Sequence, residues 1–279
     1  LQFFIILIFF IIFKVIRLKF ASNISSKIFT LIGPFFRSKR LIKENIQKAI
    51  PDLQSSELEK IISSMWSNYG RILSEYVFIK EFRESKSKSV FHVEGQEILD
   101  EIKKNGEPVI FVSGHFNNFE LMAMHIEKSG INLAAIYRPL NNIFLNFIME
   151  NIRKKYICKK QIKKGISGTK QLLSFFKSGS SIALMIDQRV TEGVKSEFFK
   201  HECYTTTIPA QFVKKFKCKV VPIYIQRTMD INFKLTIYKP REYKNNESIA
   251  SITLDLNSLL EKMILKNPEQ WIWSHNRWK

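Results

Sequence analysis

The sequence predicts an α/β fold: a mixed, mostly parallel sheet flanked by helices, with an N-terminal transmembrane helix ahead of it. Three observations carry that prediction. Segments with helical periodicity alternate with short apolar runs through the middle of the chain, the rhythm of strands joined by crossover helices. Near the end, KVVPIYIQR (219–227) and INFKLTIYKP (231–240) flank Met229–Asp230 and read as an antiparallel pair. At the start, LQFFIILIFFIIF (1–13) carries no charge.

That opening run stays largely apolar to Phe20, close to the ~20 residues a bilayer crossing needs. Basic residues follow it: Lys14, Arg17, Lys19, Lys27, Arg37, Lys39, Arg40 and Lys43 all precede the first acid, Glu44. With no basic segment before the apolar run and no small-residue cleavage pattern, a signal peptide fits poorly. Basic residues mark the cytoplasmic flank of a membrane segment. The expectation is an anchor over residues 1–20 and one domain, 21–279, on the cytoplasmic side.

The elements then follow in order. Residues 21–50 read as a basic helical segment ended by Pro51, and 56–82 as a long amphipathic helix with Leu58, Ile61, Ile62, Met65, Trp66 and Tyr69 on one face. RESKSKS (83–89) reads as a loop leading to a strand near VFHVEG. EILDEIKKNG is a helix closed by Gly106, PVIFVSG a strand, NFELMAMHIEKSG a helix and INLAAIY a strand. NNIFLNFIMENIRKKY and TKQLLSFFKSG are further helices, SIALMID a strand, and residues 249–266 a terminal helix.

Lysine and arginine total 44 against 25 acids, a net charge of +19. Such an excess attracts anionic partners without choosing among them. Much of it lies in NIRKKYICKKQIKKGISGTK (151–170), which has no acid and reads either as a solvated surface or as a contact for lipid headgroups or an acidic protein. No zinc-finger spacing or aromatic-basic motif accompanies the charge, so nucleic acid is not an expected partner. Cys158, Cys203 and Cys218 lack paired metal-ligand spacing and read as free thiols. The five histidines are scattered, so no metal is expected.

The candidate chemistry sits in SGHFNNFE (113–120), directly after an apolar strand. Reactive groups in α/β sheets gather beyond the carboxyl ends of strands. An imidazole there, His115, can take a proton from an attacking hydroxyl, and Glu120 can orient it. A separation of five is not same-face helical spacing. The pair therefore requires His115 in a turn and Glu120 in the following helix. His125, in mid-helix, reads as structural or surface.

SGHFNNFE resembles the active-site block of the bacterial lipid A biosynthesis (lauroyl/myristoyl) acyltransferase family, and further blocks follow in that family's order. Tyr137–Asn141 (YRPLN) resembles its arginine-containing block, and Asp187–Arg189 (DQR) with Gly193–Phe199 and Thr205–Ala210 its third region. Pro268–Trp278 (PEQWIWSHNRW) resembles its terminal signature and Asn68–Glu75 (NYGRILSE) its upstream helix. Asn117 and Phe119 stand where the family commonly has glycine and tryptophan, and Asn276 where arginine is common.

The resemblance implies an acyltransferase-like fold at the bacterial inner membrane. It also implies transfer of a fatty acyl group from an acyl-carrier-protein thioester, or from acyl-CoA, to a hydroxyl of a lipid A precursor. His115 would be the general base, held by Glu120, with no acyl-enzyme and no cofactor. Arg138 is the leading candidate for the oxyanion or an acceptor phosphate, aided by the Asn117–Asn118 turn. Asp187, Arg189 and Glu197 are further candidates, with an ion pair or turn as the competing reading for Asp187–Arg189, and Arg277 reads as structural. A glycerophospholipid or glycolipid acyltransferase, and a non-catalytic basic membrane-associated binding protein, are the alternatives.

Overall fold

The computed structural model describes residues 2–85 and 90–279. The N-terminal part is helical: α1 (Gln2–Val15), α2 (Leu18–Ile32), α3 (Lys39–Ala49), α4 (Ser55–Glu75) and α5 (Ile79–Glu84). The side chain of Ser38 caps α3 by accepting the Leu41 N–H. In α4 the expected face is buried, with Leu58, Ile61, Ile62, Met65 and Trp66 turned inward. Glu57, three residues inside its N-terminal flank, accepts the Gln54 N–H at 3.3 Å.

The expected transmembrane helix does not form. α1 has 14 residues, about 21 Å at 1.5 Å per residue, against a hydrocarbon core of about 30 Å. The chain then breaks at Arg17, whose φ is 66°. α2 starts afresh as an amphipathic helix that buries Ala21, Ser22, Ser25 and Ser26. Among the described residues no helix is long and apolar enough to cross a membrane. This overturns the transmembrane segment and, with it, the single-pass inner-membrane placement. Apolar content up to Phe20 suggested one continuous helix, whereas the break at Arg17 divides it in two.

The α/β part follows as β1 (Phe91–Glu94), α6 (Gln96–Asn105), β2 (Ile110–Ser113), α7 (Glu120–Lys128), β3 (Leu133–Tyr137), α8 (Ile143–Ile152), β4 (Lys160–Lys163), α9 (Ile166–Lys177) and β5 (Ser181–Met185). A hairpin, β6 (Val194–Phe198) and β7 (His201–Thr205), precedes α10 (Ile208–Phe216), β8 (Val220–Met229), β9 (Asn232–Ile237) and α11 (Ile249–Lys266). The main sheet has the order β1-β9-β8-β2-β5-β3-β4. Strands β8, β2, β5, β3 and β4 run parallel, β9 is antiparallel to β8, and β1 is parallel to β9. The mixed, mostly parallel sheet is as expected. All four residues of central β2 are buried, as a strand covered on both faces requires.

Several boundaries differ from the sequence reading. Residues 21–50 form two helices, because Gly33–Phe35 makes a 3₁₀ turn with Pro34 inside it. Arg83 and Glu84 belong to α5, while positions 86–89 of the expected loop lie outside the described residues. The helix expected to run to Tyr156 passes at Arg153 into a π-helical turn, Arg153–Ile157. Strand β4 was hidden in the basic stretch. It lies at the sheet edge, where lysines discourage pairing with another chain.

Candidate active site

Sheet register brings the central pair together. In the parallel β2–β5 pair, Ser113 lies opposite Met185, an offset of 72 residues. Two residues farther along each chain, at the same offset, stand His115 and Asp187. Nδ1 of His115 lies 2.8 Å from Asp187 Oδ1, and the His115 backbone N–H donates to Oδ2 at 2.7 Å. Gly114 permits this approach: a Cβ there would meet the Phe116 ring at 2.9 Å and Asp187 Oδ2 at 3.2 Å.

Asp187 is fully buried but well supplied with donors, since Trp271 Nε1–H also reaches Oδ2 at 2.8 Å. Burial would raise its pKa. The imidazole charge and these donors outweigh that and hold the carboxyl below its ordinary range. Burial likewise pulls the His115 pKa down, but the Asp187 carboxylate, helped at longer range by Glu120, leaves it above the ordinary value. A carboxylate partner assigns the proton to Nδ1 and leaves Nε2 with its lone pair. The imidazole side chain is 21% exposed, and Phe119 packs edge-on against it with ring centroids 4.8 Å apart.

His115 lies in the turn and Glu120 opens α7, as the five-residue separation required. Glu120, however, does not hold the imidazole. Its Oε1 accepts from Nε and Nη2 of Arg153, and that guanidinium stacks over Tyr137 at 5.3 Å. Asn117 and Asn118 are buried ties. Asn117, at φ 44°, donates through its backbone to the Gln270 carbonyl and through Nδ2 to Gln270 Oε1. Asparagine tolerates that left-handed backbone better than most residues. Asn118 Nδ2 donates to Glu75 Oε2 at 3.0 Å.

Arg138 is exposed just beyond the end of β3 and forms no ion pair among the described residues. Arg189 lies two residues past Asp187. Its backbone N–H donates to His275 Nε2 at 3.0 Å, and its guanidinium sits 5.9 Å over the Tyr204 ring. Burial lowers the His275 pKa to about 4, consistent with a neutral acceptor. Glu197 is not brought to His115. It is exposed on β6, and its carbonyl accepts from Asn257.

The family profile described as "Bacterial lipid A biosynthesis acyltransferase" matches residues 1–279. The chain belongs to this family. It is 24% identical over 262 residues to "Lipid A biosynthesis palmitoleoyltransferase" of Escherichia coli, covering 92% of this chain and 84% of the relative. A "Lipid A biosynthesis acyltransferase" of Haemophilus influenzae is 23% identical over 252 residues, 87% of this chain and 78% of that one. "Lipid A biosynthesis lauroyltransferase" of Escherichia coli is 21% identical over 251 residues, covering 87% and 79%. Homology thus makes this an acyltransferase-type enzyme of lipid A biosynthesis.

Within this acyltransferase three features escaped sequence reasoning. Trp271 lies within the PEQWIWSHNRW signature without a role of its own there, yet its indole N–H holds the Asp187 carboxylate. Arg153 was counted in a basic surface run but is largely buried on Glu120, its side chain 11% exposed. Glu75, fully buried, pairs with Arg227 through both carboxylate oxygens and also accepts from Ser22 and Asn118. The available signal for Glu75 was its place at the end of NYGRILSE. Cysteine nucleophiles are disfavoured by their surroundings, because burial pushes the Cys158 and Cys218 thiols up to about 11 and about 12.

Proposed function

We propose that this enzyme transfers a fatty acyl chain from an acyl-carrier-protein thioester to a hydroxyl of a lipid A precursor, with His115 as general base. The observation that carries the reading is the His115–Asp187 pair at the carboxyl ends of adjacent parallel strands. Asp187 fixes the ring and stabilises the imidazolium that forms, leaving Nε2 to accept the hydroxyl proton. The freed oxygen attacks the thioester carbonyl carbon, and the oxyanion collapses with cleavage of the C–S bond. The imidazolium returns its proton to the departing thiolate, so no acyl-enzyme and no cofactor enter the balance. Arg138, exposed beyond β3 without an acid partner among the described residues, is the side chain offered to the oxyanion or to an acceptor phosphate. Glu120 acts at a distance, by holding Arg153 and by adding negative charge near the imidazolium.

An apolar surface near this end of the sheet supports a lipid substrate. Ile143, Phe144 and Phe147 of α8, which follows β3, are 80%, 69% and 67% exposed. The Phe144 ring meets Phe3 of α1 at 5.4 Å, joining this patch to the exposed Phe4, Ile8 and Ile11. Contiguous apolar surface of this kind marks a lipid or protein contact.

Mass spectrometry of lipid A from cells with and without the gene tests the reading. The expected result is loss of one acyl chain, restored by wild type and not by a folded His115→Ala variant. Unchanged lipid A after confirmed loss of the protein would redirect the search to phospholipid acceptors.

A further inference from the structure

A polar cavity lies beside the turn that carries His115. It has a volume of about 110 Å³ and is lined by Ser64, Asn68, Arg71, Asn117, Arg227 and Glu269, among others. On this measure one water needs about 10–15 Å³, so a larger group fits. Asn117 is two residues from His115, and Arg227 lies on β8, the neighbour of β2.

Its polar groups are incompletely satisfied from within. Arg227 is neutralised by Glu75, but Arg71 forms no ion pair among the described residues. Its Nη1 donates only to neutral oxygens, Ser22 Oγ at 3.1 Å and Asn23 Oδ1 at 2.8 Å. Burial, and next the Arg227 guanidinium, draw the Arg71 pKa below its ordinary value against the opposing pull of the Glu75 and Asp230 carboxylates, neither of which pairs with it directly. Asn68 is 8% exposed, and its buried Oδ1 has no hydrogen-bond partner among the described residues. A buried acceptor left unpaired costs about 1–3 kcal/mol. The walls thus offer a cation for an anion and two acceptors, Asn68 Oδ1 and the Glu269 carboxylate, for hydroxyls.

We propose that this cavity seats a sugar phosphate of the acceptor, with Arg71 on the phosphate and Asn68 and Glu269 on the sugar hydroxyls. A ligand carrying both acceptor oxygens and hydroxyl donors complements all three walls. A headgroup seated there would lie against Asn117, in the turn that carries His115 two residues earlier. The assignment of the ligand to the acceptor rests on the acyl-transfer reading.

The test uses the full chain with a phosphorylated lipid A precursor and the same precursor after phosphatase treatment. Phosphatase treatment is expected to raise the wild-type KM about tenfold or more, the size of one charge-assisted contact. Arg71→Gln and Ser64→Asp should each raise KM for the phosphorylated acceptor about tenfold with kcat within about twofold, and the difference should vanish with the dephosphorylated one. Ser64→Asp is the safer variant, because it brings negative charge to the wall while Arg71 keeps its bonds to α2. Equal effects on both acceptors, or none, overturn the proposal. A separate thermal-shift measurement uses glucose 1-phosphate, glucose and inorganic phosphate. Stabilisation by glucose 1-phosphate alone, lost in Ser64→Asp, supports the site, and an equal response to inorganic phosphate overturns the sugar-phosphate assignment. Glucose 1-phosphate binding without transfer from any donor would sink the acyl-transfer reading while sparing the cavity.

Discussion

A histidine serves as base only in its neutral form, and His115 is held above its ordinary pKa by Asp187. On the general-base proposal, activity is therefore present above that raised pKa and is lost as pH falls through it. Replacing Asp187 by Asn removes the charge that favours the imidazolium, so the acidic limb of the pH–rate profile moves to lower pH. The same change should lower kcat by about 10²–10⁴-fold, because the tautomer is no longer enforced. An unmoved acidic limb would mean that Asp187 does not set the titration. Glu120→Gln separates two roles. Stranding the buried Arg153 charge should cost about 3–5 kcal/mol of stability by denaturant titration. A large fall in kcat with stability intact would instead place Glu120 on the reaction. Trp271→Phe keeps an aromatic ring but deletes one donor to Asp187, and a loss of about tenfold in kcat is expected for one such bond.

The helix pair α2–α4 joins the N-terminal helices to the sheet through the Glu75–Arg227 pair. Its contact is set by small residues: Ser25 Oγ donates to the Gly70 carbonyl at 2.7 Å, and Ser26 and Ser67 hydroxyls meet at 2.7 Å. A Cβ on Gly70 would stand 2.2 Å from the Ser25 carbonyl oxygen, which is backbone and cannot swing aside. Gly70→Ala should therefore force the helices apart and cost about 1–3 kcal/mol. The urea midpoint should fall with an unchanged slope; an unaltered midpoint would show that the two helices part without penalty. Gly70 and Arg71 are adjacent in one motif, so the close packing of α2 also positions the Arg71 guanidinium over its cavity.

Across the whole molecule, the C-terminal segment ties the parts together. Asn45 of α3 donates to the carbonyls of Trp273 and His275. Arg277, fully buried, donates to the Tyr204 carbonyl and Thr205 Oγ1, and Trp278 Nε1–H reaches the Phe198 carbonyl. The same segment supplies Trp271 to Asp187, so the segment that closes the fold also completes the site. The net charge of +19 acts at this scale too. Screening lengths shrink from about 10 Å at 0.1 M salt to about 3 Å at 1 M. KM for an acyl-carrier-protein donor should therefore rise with salt while kcat changes little; a salt-independent KM would remove the basic surface from donor binding.

The alternating pattern of residues 97–187 was enough to order the helices and strands around His115, β4 excepted, because hydrophobic periodicity and glycine stops are local properties of a chain. The ordered motifs were enough for the family. Local spacing also suggested Glu120 as the partner of His115, and there the tertiary structure decided otherwise. Asp187 is 72 residues away, and only the β2–β5 register sets it beside the imidazole. Arg153 could not be told from its solvated neighbours until the π-helical turn carried it inward to Glu120. The anchor failed for a related reason: hydropathy adds up residues without regard to the backbone, and one positive φ at Arg17 divides the apolar run. Composition and period are written along the chain, whereas pair identity depends on strand register and on where a helix breaks, which only the folded packing determines.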